Sequence, residues 1–170
     1  MIETERLLLQ PHVEDNFDAY RQMIQDPQVM QYIRPELSSD DDAWLRFLAN
    51  AGRWRLHGYG LFAVIEKSSN NFIGEMGFGE FRRGLGPQFD PFHEAAWIFS
   101  GKGQNKGYAQ EAGLAIHDWL IEQHEPDKTV CIISTENLPS IRLATKLGYE
   151  PFDEQEYKGS PVTLFERPAV

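Results

Sequence analysis

The sequence has a single cysteine, Cys131, and no apolar run near the roughly 20 residues that a bilayer crossing demands. One cysteine rules out an intrachain disulfide and a multi-thiolate metal cluster, so no metal is expected. Basic residues are few: 16 Lys and Arg stand against 26 Asp and Glu, a net charge of −10. Nucleic-acid binding is dominated by Lys and Arg, so no nucleic-acid partner is expected. The first ten residues carry Glu3, Glu5 and Arg6 and no apolar stretch of the kind a secretory leader needs. No repeat, low-complexity tract or Pro/Ser-rich linker interrupts the chain. Together these absences predict a cytoplasmic protein of one domain over 1–170, without a membrane partner.

What is present suffices for a packed interior, with 41% apolar and 12% aromatic residues. Leu7, Leu8 and Leu9 read as a first strand stopped by Pro11. Phe17, Tyr20 and Ile24 recur at helical spacing over 15–25. Ser38, Ser39 and Asp40 offer N-caps for a second helix whose stripe is Trp44, Phe47, Leu48 and Ala51, closed by Gly58. The period then changes: 61–65 and 72–81 are β-rich and joined by a turn at 68–71, and 94–99 suits a central strand. A glycine-bearing loop at 100–107 opens a helix over 108–124. Residues 129–133 form a buried strand that holds Cys131. Pro139 and Gly148 bracket a short helix, and 162–167 is a last strand. The order predicts an α/β domain with a mixed sheet.

The string Gln104-Asn105-Lys106-Gly107-Tyr108-Ala109 lies between a buried strand and a helix. A helix N-terminus presents unpaired N–H groups and about half a positive charge. Gly107 permits close approach of an anion, Asn105 tolerates a left-handed backbone, and Lys102 and Lys106 add positive charge. Such a loop suits a pyrophosphate; the same string also suits an ordinary strand-to-helix connection with solubilising lysines. A dinucleotide turn is excluded, because that fingerprint opens the first unit of a doubly wound sheet and here follows 100 residues. A P-loop is excluded because its string is absent.

Gln104-x-x-Gly107-x-Ala109 resembles the [RQ]-x-x-G-x-[GA] coenzyme A motif of the GNAT superfamily. Asn137 through Ser140 to Lys146-Leu147-Gly148-Tyr149 is similar to the N-x-x-S-x-x-x-x-x-K-L-G-[FY] segment of the branch containing the ribosomal-protein N-terminal acetylases. Thr4-Glu5-Arg6-Leu7 resembles that branch's T-x-R-L start, and Tyr108-Ala109-Gln110-Glu111-Ala112 its [YI]-A-T-E-A. The chain departs from the branch at Glu94-Ala95-Ala96-Trp97, where E-I-G-Y is usual, and at Gln104-Asn105-Lys106-Gly107, where W-G-K-G is usual.

The resemblance implies a GNAT-type mixed, mostly antiparallel sheet of about six to seven strands flanked by about four helices. It implies an acetyl-CoA-dependent N-acetyltransferase, monomer or homodimer, acting on an amine that is a peptide N-terminus or a small molecule. By the same resemblance the backbone of Trp97, Ile98 and Phe99 pairs with the pantetheine arm. Amides of Gln104, Asn105, Lys106, Gly107, Tyr108 and Ala109 hold the pyrophosphate, and Asn137 bonds the pantetheine arm or caps its helix. Ser140 serves the leaving sulfur or is a helix-start hydroxyl; Tyr149 is a lesser candidate acid or a core aromatic. Glu94 is the candidate base, or else a strand-end carboxylate in solvent; His93 is its substitute. His117 and His124 share a helix face and read as solvent-facing, and Cys131 reads as a buried structural residue. The acceptor pocket is shaped by 15–58, 82–91 and 155–160. A coenzyme A-binding sensor without catalysis is the alternative function.

Overall fold

The computed structural model describes residues 1–33, 36 and 38–169. The strands are β1 (Ile2–Glu3), β2 (Leu7–Pro11), β3 (Leu61–Glu66), β4 (Asn71–Gly79), β5 (His93–Phe99), β6 (Lys128–Ser134), β7 (Glu150–Tyr157) and β8 (Ser160–Pro168). The helices are α1 (Phe17–Ile24), α2 (Pro27–Met30), α3 (Asp40–His57), α4 (Tyr108–His124) and α5 (Leu138–Lys146). All strands lie in one sheet, ordered β1-β2-β3-β4-β5-β6-β8-β7. Neighbours are antiparallel except β5 and β6, which run parallel.

This is the expected mixed, mostly antiparallel architecture, with a strand and a helix more than expected. Part of the difference is β7, whose Gln155, Glu156 and Tyr157 fall inside the segment expected to be a loop. Three Glu, one Asp and a Pro in eight residues hide a strand from any apolar pattern. Such a composition suits its place, because β7 is the sheet's outer edge, and charge on an edge discourages pairing with other chains.

Residues alternate faces along each strand, so both faces of the sheet carry buried apolar clusters. On one face Leu9, Phe62, Met76, Phe78 and Phe99 pack with Ala112, Ile116 and Leu120 of α4, with Ala144 of α5 and with Leu147 just after it. The two helices meet closely at Gly113, where a Cβ would lie 2.7 Å from Leu147 and 2.8 Å from Met76. On the other face Ile98 packs with Tyr20, Met23, Met30, Ala43 and Phe47 from α1, α2 and α3.

Ser39 caps α3 by accepting the Asp42 N–H at 3.1 Å, and Gly58 closes it, as the sequence predicts. The buried stripe is rotated from the expected one: Ala43, Phe47 and Asn50 face inward. Trp44 and Leu48 remain 37% and 46% exposed. The reason is a polar core contact, in which the Asn50 amide donates to Glu75 Oε2 at 2.8 Å. An apolar periodicity cannot register a buried asparagine.

Candidate active site

The sheet opens at one place. Strands β5 and β6 pair only at His93–Thr129 and Glu94–Val130. Beyond Glu94 they separate, while β4 continues along β5 up to the Gly74–Phe99 pair. Residues 95–99 therefore keep one edge without a strand partner; by the alternation of the ladder the N–H and C=O of Trp97 and Phe99 turn to it, whereas those of Ile98 turn to Glu75 on β4. Backbone groups left this way seek a ligand. An extended chain with amide groups suits such an edge, by the geometry of strand addition.

The loop after β5 leads into α4 through Asn105 at φ 60° and Gly107 at φ 79°, both left-handed. Among the described residues no backbone or side-chain acceptor meets the N–H groups of Gly107, Tyr108, Ala109 and Gln110, whereas the Glu111 N–H returns to the Gly107 carbonyl at 3.1 Å. The loop is braced from behind. Arg6 donates to the Lys106 carbonyl at 2.9 Å and to Glu111 Oε2 at 2.7 Å, while Thr4 donates to Glu111 Oε1 at 2.6 Å. In a trans peptide the C=O and N–H point oppositely, so holding the Lys106 carbonyl towards Arg6 turns the Gly107 N–H away from it, outward. Gln104 spends its side chain on the Phe99 carbonyl, at 2.9 Å. Arg6 was not singled out in the sequence; its signal lay in the T-x-R start and the Glu111 match, which the fold joins into one clamp.

The other wall of the opening is the start of α5. Asn137 is its N-cap, accepting the Ser140 N–H at 3.2 Å, so its capping role is realised. Across the gap, Trp97 Nε1 donates to Ser140 Oγ at 3.2 Å. One hydroxyl thus sits beside the unpaired edge of β5.

The Acetyltransferase (GNAT) domain matches residues 6–150. The chain belongs to the GNAT acetyltransferase family. A structure from Bordetella pertussis assigned to the GnaT family is 33% identical, with a TM-score of 0.86 over 98% of each chain. An uncharacterized N-acetyltransferase of Bacillus subtilis, YnaD, is 29% identical over 147 residues, 86% of this chain and 81% of the relative. The fold is shared with a Vibrio cholerae spermidine N-acetyltransferase solved with CoA and spermine, at 15% identity and a TM-score of 0.76 over 98% and 97% of the two chains. This GNAT protein is accordingly an N-acetyltransferase.

On the α3 side of the GNAT sheet, Glu94 is buried rather than solvent-facing, with its side chain 5% exposed. Arg83 grips it through Nε at 2.8 Å to both oxygens and NH2 at 2.6 Å. Burial pushes the Glu94 carboxyl up, and Arg83 pulls back only part of that shift. A second carboxylate on this face, Glu75, was not foreseen in the sequence. It pairs across from Ile98, is fully buried, and has His12 Nε2 at 3.2 Å and Arg46 NH2 at 3.8 Å. Burial alone would raise its carboxyl, but His12, Arg46 and Asn50 outweigh it and hold the group below the ordinary range. His93 precedes Glu94 and so turns to the opposite face, against Tyr59 and His124. That placement separates it from the Glu94 side of the sheet.

Tyr149 is a core residue. Its hydroxyl lies 2.8 Å from His117 Nε2 and 2.9 Å from Thr129 Oγ1, and His117 Nδ1 lies 2.6 Å from the Gly113 carbonyl. A carbonyl only accepts, so Nδ1 carries the proton, Nε2 accepts from Tyr149, and Thr129 donates to Tyr149. His117 is thus buried, not solvent-facing as its helix position suggests, because Tyr149 and Gly113 satisfy both ring nitrogens. Burial lowers its pKa from 6.5 to about 4.

The consequence is a pH dependence of stability. The unfolded chain takes up a proton at His117 below pH 6.5 and the folded chain does not until about pH 4. The stabilisation is complete above pH 6.5 and drains as pH falls from 6.5 to 4, to a total of about 3 kcal/mol. Melting temperatures from pH 7.5 to 4.5 should fall more steeply for the wild type than for His117→Gln, which keeps hydrogen-bonding capacity without titrating. Parallel curves would show that His117 does not report the acid loss.

Proposed function

We propose that this protein transfers an acetyl group from acetyl-CoA to a primary amine, of a small molecule or a protein N-terminus, in the cytoplasm and without a covalent enzyme intermediate. The observation that carries the reading is the separation of β5 from β6 beyond Glu94, flanked by free amides at α4 and by Ser140. Backbone of Trp97 and Phe99, on either side of Ile98, would take the pantetheine arm. Amides of Gln104, Asn105, Lys106, Gly107, Tyr108 and Ala109 would take the pyrophosphate, with Asn137 near the arm.

In the reaction the amine nitrogen forms a bond to the thioester carbonyl carbon and the carbon–sulfur bond breaks. The nitrogen must shed a proton and the sulfur must gain one. Glu94, raised by burial and held in one rotamer by Arg83, is the proposed acceptor of the amine's proton, directly or through water. Ser140 is the proposed donor. Its oxygen already accepts from Trp97, which leaves its own hydrogen free to turn to the sulfur. Cys131 is fully buried on the α4 face, its thiol pushed up by burial, and has no part in the transfer.

Acetyl-CoA at 100 times its Kd should stabilise the fold by about 2.7 kcal/mol, read as a rise in Tm, whereas NAD and ATP should do much less. Loss of the thioester should then depend on an added amine. Equal shifts from NAD would refute the coenzyme assignment, and a Tm shift without turnover over a broad amine panel would favour the coenzyme A sensor.

A further inference from the structure

We infer that the acceptor is a small amine that also carries a carboxylate, as a free amino acid does, and that Arg53 binds that carboxylate. The inference rests on the proposed acetyl transfer and adds the class of substrate to it.

Three arginines face the sheet where β4 meets β5, on the α3 side. Arg83 is spent on Glu94, and Arg46 reaches Glu75. Arg53 is different. Among the described residues no carboxylate lies within ion-pair distance of it, and its one side-chain partner is neutral: NH1 donates to Asn50 Oδ1 at 2.8 Å. A guanidinium has five N–H donors in a planar fork and does not lose its charge in a protein. Most of that fork is therefore uncommitted, although the residue is partly buried.

Its place is set by neighbours on both sides. Asn50, one turn earlier on α3, donates to Glu75, which is paired across from Ile98. The Arg53 guanidinium lies 4.7 Å over the Phe81 ring, and that of Arg83 lies 4.9 Å from the same ring centre. Phe81 in turn lies against Gly79, the cross-strand partner of Glu94. Arg53 therefore stands between the Glu75–Ile98 and Glu94–Gly79 positions. The residue between them on β5, Ala96, is small and partly exposed. Arg83 also stacks 5.2 Å over Tyr157, so α3, the β4–β5 loop and the end of β7 converge there. These are the segments from which the acceptor pocket was expected, although positions 34, 35 and 37 of the first lie outside the described residues.

Charge decides the class. On this face three guanidinium groups stand over two carboxylates, within a chain whose net charge is −10. A polyamine would meet the guanidinium of Arg53, which no carboxylate among the described residues pairs. A partly buried guanidinium with open donors, its charge disfavoured by burial, gains most from a planar carboxylate that it can bind with two hydrogen bonds. Held there, the substrate's amine needs only to reach across Ala96 to the opened edge of β5.

The test compares free amino acids with their primary amides, with spermidine and with short N-terminal peptides, following thioester loss. Amino acids should exceed their amides by ~10–100-fold in kcat/KM, the usual worth of a hydrogen-bonded charge pair. Peptides, which have an amide in place of that carboxylate, should behave as the amides do. Arg53→Gln should raise the acceptor KM by a similar factor and erase the preference over amides, with KM for acetyl-CoA unchanged. Preference for spermidine or peptides, equal use of amides, no turnover of any amino acid, or a preference that survives Arg53→Gln would each overturn the inference. A Tm shift with acetyl-CoA that persists through such a failure would leave the coenzyme assignment standing, so the two can fail separately.

Discussion

Gly107→Val should lower affinity for acetyl-CoA by about two orders of magnitude while the chain still folds. Gly107 sits at φ 79° as the N-cap of α4, a conformation that a β-branched residue adopts only with strain of about 1–3 kcal/mol. A Cβ at this position has room, its nearest neighbour being Arg6 NH2 at 3.5 Å, so the obstacle is the backbone angle and not a clash. Valine would relieve the strain by turning the 106–107 peptide, which withdraws the Gly107 N–H from the proposed pyrophosphate site and breaks the Arg6 contact with the Lys106 carbonyl. Gly107→Asn separates conformation from bulk, because asparagine tolerates the left-handed region. Titration calorimetry with acetyl-CoA should rank glycine above asparagine and asparagine well above valine. A valine variant that binds normally would place the pyrophosphate elsewhere; an asparagine variant as weak as valine would make crowding, not the backbone angle, the cause.

The shape of that loop was legible because backbone conformation is written in small residues. Asn105 and Gly107 declared their left-handed angles by type, and Gly107, the α4 N-cap, marked the start of the helix. Gly58 and Ser39 did the same for α3. Pairing between distant side chains leaves no such mark. Glu75 stands in an apolar run and looks misplaced until the fold sets Asn50, His12 and Arg46 around it. Arg83 sits in a Gly- and Pro-rich loop and acquires meaning only when the turn carries it back onto Glu94. His117 and Tyr149 are 32 residues apart, and the hydrogen bond between them reverses the expected exposure of the histidine. Arg6 and Glu111 were visible as separate motif fragments, but the clamp they make needs α4 laid across the first strands. Local rules thus specified most of the elements and the left-handed turn before α4, whereas the ionic partners on the α3 side depended on which elements the sheet brings together.

Glu94→Gln and Ser140→Ala should both slow turnover, by about 10²-fold or more, and should fail in different ways. Ser140 is partly exposed and its Oγ holds only the Trp97 N–H, so alanine removes little that the ground state needs. Its effect should fall on kcat with acetyl-CoA affinity nearly intact, since the hydroxyl matters as the thiolate develops. Glu94→Gln removes a proton acceptor and also half of a buried ion pair, leaving Arg83 with a neutral partner. A lower Tm is therefore expected, and rates must be compared at temperatures where both proteins are folded. The loss should be greatest near neutral pH and should shrink as pH rises, because free amine then becomes abundant without help from a base. Substituting Arg83 provides the control: Arg83→Met removes the restraint, lets burial raise the Glu94 carboxyl further, and should shift the acidic limb of the rate profile, where the base must lose its proton, to higher pH. If the two residues serve separate proton transfers, the double variant should multiply the single losses; if they act as one unit, it should be little worse than either. A Glu94→Gln enzyme with the wild-type rate and pH profile would remove the residue from the mechanism. Glu75, the other carboxylate on that face, would then be the next group to substitute.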